Sequence, residues 1–115
     1  MGRMMESSKI FEKLRLELRR GALPLAVLAQ LRQEHYGYSL RKEIGARGLE
    51  IDEGTLYPLI RRLEKQGLLE SEWRHEDNRK KRFYRISTLG EEVLVLLIEE
   101  WRKLNASVDR ILEES

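Results

Sequence analysis

The sequence predicts a mainly α fold with one small β-hairpin. Three observations carry this. Apolar residues recur at helical spacing in several stretches before residue 68. Two short segments between residues 69 and 87 alternate in period two, as half-buried strands do. One long helical pattern then runs from residue 88 to about residue 113.

Residues 8–20, SKIFEKLRLELRR, read as a short amphipathic helix with Ile10, Phe11, Leu14 and Leu18 on one face. Gly21 is read as its end. Pro24, acceptable in a first turn, opens a second helix to about Glu34 with Leu28 and Leu31 facing inward. YGYSLRKEIGARG gives a third helix over residues 37–46 that buries Leu40 and Ile44, with Gly45 and Gly48 marking its end. Tyr36 is expected in the core.

GTLYPLIRRLEKQG, residues 54–67, is a helix with two unlike sides. Leu56, Leu59, Ile60 and Leu63 form an apolar stripe. Tyr57, Arg61, Arg62 and Lys65 are left outside it, with Thr55 at the start. Pro58 is expected in an early turn, because deeper in a helix it removes a hydrogen bond and clashes with a carbonyl. Leu69, Ser71 and Trp73 then share one side of a strand, opposite Glu70, Glu72 and Arg74. Tyr84 and Ile86 alternate with Phe83 and Arg85 in a second strand. The connection HEDNRKK reads as longer than a two-residue turn.

Three helices followed by a hairpin with a charged loop is the order of a winged helix-turn-helix. There the third helix enters the major groove and the wing meets phosphates or the minor groove. Charge agrees. The first 86 residues hold 19 Lys/Arg against 13 Asp/Glu, whereas residues 87–115 hold three against seven. The chain has no cysteine, which removes disulfides and thiolate chemistry. No apolar run is long enough to span a membrane and no leader pattern opens the chain, so a cytoplasmic location is expected. No nucleophile–base set, metal cluster or phosphate-cradling glycine loop is present, so no enzyme activity, cofactor or metal is expected.

The residues LRRG (18–21), YGYSL (36–40), GTLYPLIRRLEKQGLL (54–69), Trp73, RKKRFYRIS (79–87) and LGEEVL (89–94) resemble the PadR family of bacterial transcription regulators, over about residues 18–113. A single long last helix is similar to the short subtype. The resemblance implies that Thr55, Tyr57 and Pro58 lie at the DNA-facing start of the recognition helix, with Arg61 one turn later. It also implies that Tyr38 lies near the DNA backbone, and that Arg79, Lys80, Lys81 and Arg82 are basic wing contacts. Glu64, in RLE, is implied to be a structural ion-pair partner. Arg62 and Lys65 join the DNA face from the helix pattern itself. Taken alone, Tyr57 also reads as a surface aromatic, Arg61 and Arg62 as solvated residues, and residues 79–82 as a guard on a sheet edge.

The last helix places Leu94, Trp101 and Val108 at one seam position and Leu97, Leu104 and Ile111 at the other, with Ile98 widening the stripe. Its start, VLVLLI, is apolar all round and needs cover on every side. A second chain is the expected cover, with Ile10, Phe11 and Leu14 helping, which makes a homodimer on a palindromic site. Trp101, with Leu97 and Leu104 one turn either side, is a candidate wall of a pocket between the two copies of this helix for a planar aromatic effector, cationic ones included; plain interface packing is the alternative. The organisation expected is an arm helix (1–20), a winged-helix DNA-binding domain (21–87) and a dimerisation helix (88–115). The function expected is a sequence-specific DNA-binding regulator, a repressor. The alternative is a winged-helix protein–protein interaction module without DNA binding.

Overall fold

A computed structural model describes residues 2–113 of the chain. Its order is α1 (Gly2–Gln30), β1 (His35–Tyr36), α2 (Gly37–Ala46), α3 (Glu53–Lys65), β2 (Leu69–Glu76), β3 (Arg79–Ile86) and α4 (Thr88–Glu113). The three strands form one antiparallel sheet in the order β1-β3-β2. This is the winged helix-turn-helix arrangement.

The core is a single cluster. The second half of α1 supplies Leu23, Val27, Leu28 and, just beyond it, Leu31; α2 supplies Leu40 and Ile44. The apolar stripe of α3 supplies Leu56, Leu59, Ile60 and Leu63, and Leu69, Ile86 and Leu94 close the cluster. Leu28, Leu31, Leu40 and Leu56 are completely buried, and each gains about 1.5–3 kcal/mol from leaving water.

Two helix ends are set by glycine. After α2, Gly48 (φ 99°) lets the Leu49 N–H reach the Ile44 carbonyl at 3.1 Å. After α3, Gly67 (φ 83°) lets the Leu68 N–H reach the Leu63 carbonyl at 3.0 Å. Both are left-handed caps that satisfy otherwise orphaned carbonyls. The start of α4 is capped by Ser87, whose Oγ accepts the Gly90 N–H at 3.0 Å and donates to the Gly67 carbonyl at 2.6 Å. Gly90 is fixed by contact: a Cβ there would lie 2.1 Å from the Leu68 carbonyl oxygen.

The sequence reading needs five corrections. Residues 8–20 and 24–34 are not separate helices, because α1 is continuous from Gly2 to Gln30 and passes through Gly21 and Pro24. A helical glycine costs only about 1 kcal/mol. Pro24 forfeits one bond to the Arg20 carbonyl, but Leu23, Val27 and Leu28 bury on either side of it. The boundary drawn between residues 20 and 21 thus falls inside one helix. Pro58 is the sixth residue of α3, not a first-turn residue. Gly54, whose carbonyl loses its donor, is an exposed residue, so the loss falls at the surface rather than in the core.

Next, a short strand, β1, was missed; two residues show no periodicity. Tyr36 in β1 pairs with Phe83 and packs on the outer face of the sheet rather than in the core, its ring 5.6 Å from that of Phe83. Finally, the wing has a tight turn after all. Glu76 pairs with Arg79, leaving only Asp77 and Asn78, at φ 53° and 61°. Those two residue types tolerate the left-handed region that a two-residue hairpin turn demands. Arg79–Arg82 therefore belong to β3 itself.

Candidate nucleic-acid interface

The buried stripe of α3 fixes which side looks out. Pro58, Arg61, Arg62 and Lys65 are exposed, and the three cations enter no hydrogen bond or ion pair among the described residues. An exposed arginine without an internal partner keeps its planar set of donors for an external acceptor. At the start of α3, Thr55 is half-buried and its hydroxyl donates to the Asp52 carboxylate at 2.8 Å. That bond holds the Asp52 carboxyl below its ordinary range. Arg41 of α2 pairs with Glu53 at 3.5 Å and ties the two helices together.

Tyr57 is half-buried and packs over Gly37 at the start of α2. A Cβ at Gly37 would come within 2.5 Å of the Tyr57 ring, so any larger residue there would have to displace that ring. Tyr57 therefore helps to join the two helices as well as bordering the exposed face. Tyr38, one residue on, is 53% exposed, and its ring stacks near that of Tyr36 at 6.4 Å.

The wing cations do not form one cluster. Alternation along β3 puts Arg79 and Lys81 on one face and Lys80 and Arg82 on the other. Lys81 Nζ lies 4.4 Å from the Tyr36 ring centroid and 3.9 Å from the Asp77 carboxylate. Arg82 pairs with Glu64 at 3.0 Å, which gives Glu64 the structural partner the sequence left unnamed. Arg79 and Lys80 are the exposed wing cations, Lys80 standing 5.3 Å from the ring of Trp73.

Arg74 was not singled out in the sequence. It donates two hydrogen bonds to Glu34, at 2.5 and 2.7 Å, and also bonds Glu72, with its guanidinium 4.6 Å from the Phe83 ring. The Arg74 hydrogen bonds hold the Glu34 carboxyl below its ordinary value. Alternation already places Arg74 on the face away from Trp73; its partner Glu34 lies 40 residues away and its neighbour Phe83 on the next strand, which only the register brings together.

A second exposed surface lies on α1 and α4. Ile10, Phe11 and Leu14 project from α1, and Trp101, Leu104, Val108 and Ile111 from α4, each at least 43% exposed. Leu94, expected in the seam, is instead buried in its own chain, and Leu97 and Ile98 pack against that core. A groove of about 410 Å³ between α1 and α4 is lined by Ala22, Leu25, Ala26, Ala29, Arg32, Ile98, Trp101 and Arg102. Within one copy Leu97, Trp101 and Leu104 do not share a cavity, whereas the site expected of them lies between two copies. Leu97 borders a different depression with Val93 and Leu96, and two arginines beside Trp101 disfavour a cationic guest. No helix among the described residues is long and apolar enough to cross a membrane.

Residues 25–95 match the model of the Transcriptional regulator PadR-like family. The crystal structure of a PadR family transcriptional regulator from Eggerthella lenta is similar at 42% identity and a TM-score of 0.91, over 96% of this chain and 99% of that one. A PadR-like transcriptional regulator from Bacillus cereus is similar at 28% identity and a TM-score of 0.75, over 84% of this chain and 96% of that one. A transcriptional regulator of Mycobacterium tuberculosis is 39% identical over 79 residues, which is 68% of this chain and 74% of that one.

Proposed function

The chain belongs to the PadR-like family of transcriptional regulators, a family of regulators and not enzymes, and on that premise we propose that it binds double-stranded DNA as a homodimer and represses from a palindromic operator. The observation that carries the reading is the unpaired, exposed trio Arg61, Arg62 and Lys65 on the helix opposite its core stripe. A protein–protein winged helix has no need of three free cations there.

In this reading α3 enters the major groove and Arg61 and Arg62 read base acceptors, which a guanidinium matches in bidentate fashion. Arg79, Lys80 and Tyr38 meet phosphates, positioning the body without reading sequence. Repression needs only occupancy of the operator. The exposed apolar faces of α1 and α4 support the dimer, because each large side chain covered by a second copy gains about 1.5–3 kcal/mol. A planar aromatic effector at Trp101 is the finest part of the reading. Its support is the exposed indole beside the α1–α4 groove, and its test is quenching of tryptophan fluorescence that Trp101→Ala abolishes.

Selection of sites from a random duplex pool, followed by titration at several salt concentrations, tests the whole. The recovered sites should be inverted repeats, and affinity should fall steeply with salt. Arg61→Ala should weaken the selected site by on the order of 1–3 kcal/mol and random DNA far less. Lys80→Ala should weaken all DNA alike and lower the salt slope by about one. A wild-type chain without salt-dependent DNA affinity overturns the proposal.

A further inference from the structure

Arg82 stands in a basic run, yet its guanidinium is committed inside the molecule. Nη2 donates to both carboxylate oxygens of Glu64, at 3.0 and 3.1 Å. Nε donates to the Ser71 hydroxyl at 2.9 Å, and that hydroxyl donates in turn to Glu64 in a short bond. The ring closes over three elements: Glu64 in the last turn of α3, Ser71 in β2 and Arg82 in β3. Trp73 and Tyr84 flank the guanidinium, their ring centroids 5.5 and 5.7 Å away.

The position of this ring along the wing matters. β1 supports β3 only at Phe83 and Tyr84. From the Trp73–Arg82 pair outward, the wing is a two-stranded ribbon without a third strand. Such a ribbon holds its own shape poorly. The clamp on Glu64 therefore sits where support from the sheet ends. On one side of it lie the exposed cations of α3, and on the other lies Lys80, two residues nearer the tip on the same face of β3. The bridge is partly exposed, its side chains 37% and 24% accessible, so little of the fold's stability depends on it. Its geometry is the tighter constraint: with Nη2 on Glu64 and Nε on Ser71, the guanidinium plane is held from two elements at once, which fixes direction as well as distance.

We infer that Arg82 is a positioning residue of the DNA interface: with Glu64 and Ser71 it sets the separation of the wing from α3, so that both reach one duplex at a single spacing. The inference rests on the DNA-binding reading above. It takes Arg82 out of the basic wing contacts that the resemblance implies for it.

The test uses Glu64→Gln and Arg82→Lys in the full chain. Glu64→Gln removes a negative charge from the DNA side, so simple electrostatics predicts tighter binding to all DNA. A clamp predicts the opposite for the selected site. The ratio of selected-site to random-DNA affinity should fall on the order of tenfold in both variants. Measuring the ratio on one sample cancels any inactive fraction. Without DNA, amides of residues 73–81 should exchange faster in both variants, while those of α3 and α4 keep their protection. An unchanged ratio, tighter binding by Glu64→Gln or unchanged wing exchange overturns the inference. Faster wing exchange in both variants, beside a wild-type chain that binds no DNA, would leave the clamp standing and overturn the DNA reading instead.

Discussion

The two halves of α1 carry similar side chains and end in opposite surroundings. Ile10, Phe11, Leu14 and Leu18 recur at helical spacing and are all more than half exposed. Leu23, Val27 and Leu28 follow at the same spacing and are buried in the core. Nothing local separates the two sets. What differs is the neighbourhood: the second half lies under α2, α3 and the sheet, whereas the first half projects beyond them. Apolar spacing says that a face will be covered; it does not say by what.

The sharpest break of this comparison is a pair of truncations. Leu28→Ala should cost about 2–5 kcal/mol, read as a fall in the denaturation midpoint, because the closed core cannot collapse around the void. Leu14→Ala, measured at nanomolar concentration, should change the midpoint by less than about 1 kcal/mol. Equal costs would show that the first half of α1 is covered by its own chain. The next effect is smaller and depends on concentration. If a second copy covers the projecting faces, the melting temperature rises with protein concentration. Phe11→Ala should flatten that rise, removing about 1.5–3 kcal/mol for each site covered. A melting temperature independent of concentration in the wild type would remove the second copy from the account.

The smallest effect concerns acid. The folded state lowers the Glu34 carboxyl from its ordinary 4.5 through its hydrogen bonds to Arg74. A lowered carboxyl stabilises above its unfolded value, and that contribution fades as pH falls through the folded one. Acidification through and below that ordinary value should therefore loosen the tie between the α1–β1 connection and the wing. Arg74→Gln should lose part of this pH dependence, while the projecting half of α1, which lacks this pair, should show none of it. Identical acid profiles in the two proteins would contradict this.

The same contrast explains what the sequence disclosed. The α3 stripe was legible because four leucine and isoleucine positions repeat within one helix, and α4 was legible for the same reason. Gly21 and Pro24 misled because they are local penalties, outweighed by packing that only the assembled core supplies. The two-residue wing turn was hidden because Asp77 and Asn78 lack the glycine that usually announces it. In the site, Arg61, Arg62 and Lys65 emerged from periodicity. Arg82 did not, because a run of four cations looks uniform until period two is applied to it. Applied at residue 79, that alternation would have sent Lys80 and Arg82 to one face and Arg79 and Lys81 to the other.

One consequence of the unbroken α1 is mechanical. Twenty-nine residues of continuous helix make a rod about 43 Å long. Its far end does not hang free: the Leu31 carbonyl, one residue past the helix end at Gln30, accepts the Ile86 N–H at 2.8 Å, at the root of β3. Two separate helices hinged at Gly21 would absorb a tilt at the amino end. A stiff rod pivoting near its middle converts a tilt of about 5° into a displacement of about 2 Å at each end. The chain thus has a lever with one arm bonded to the base of the wing, along which a load on Phe11 or Leu14 would be carried.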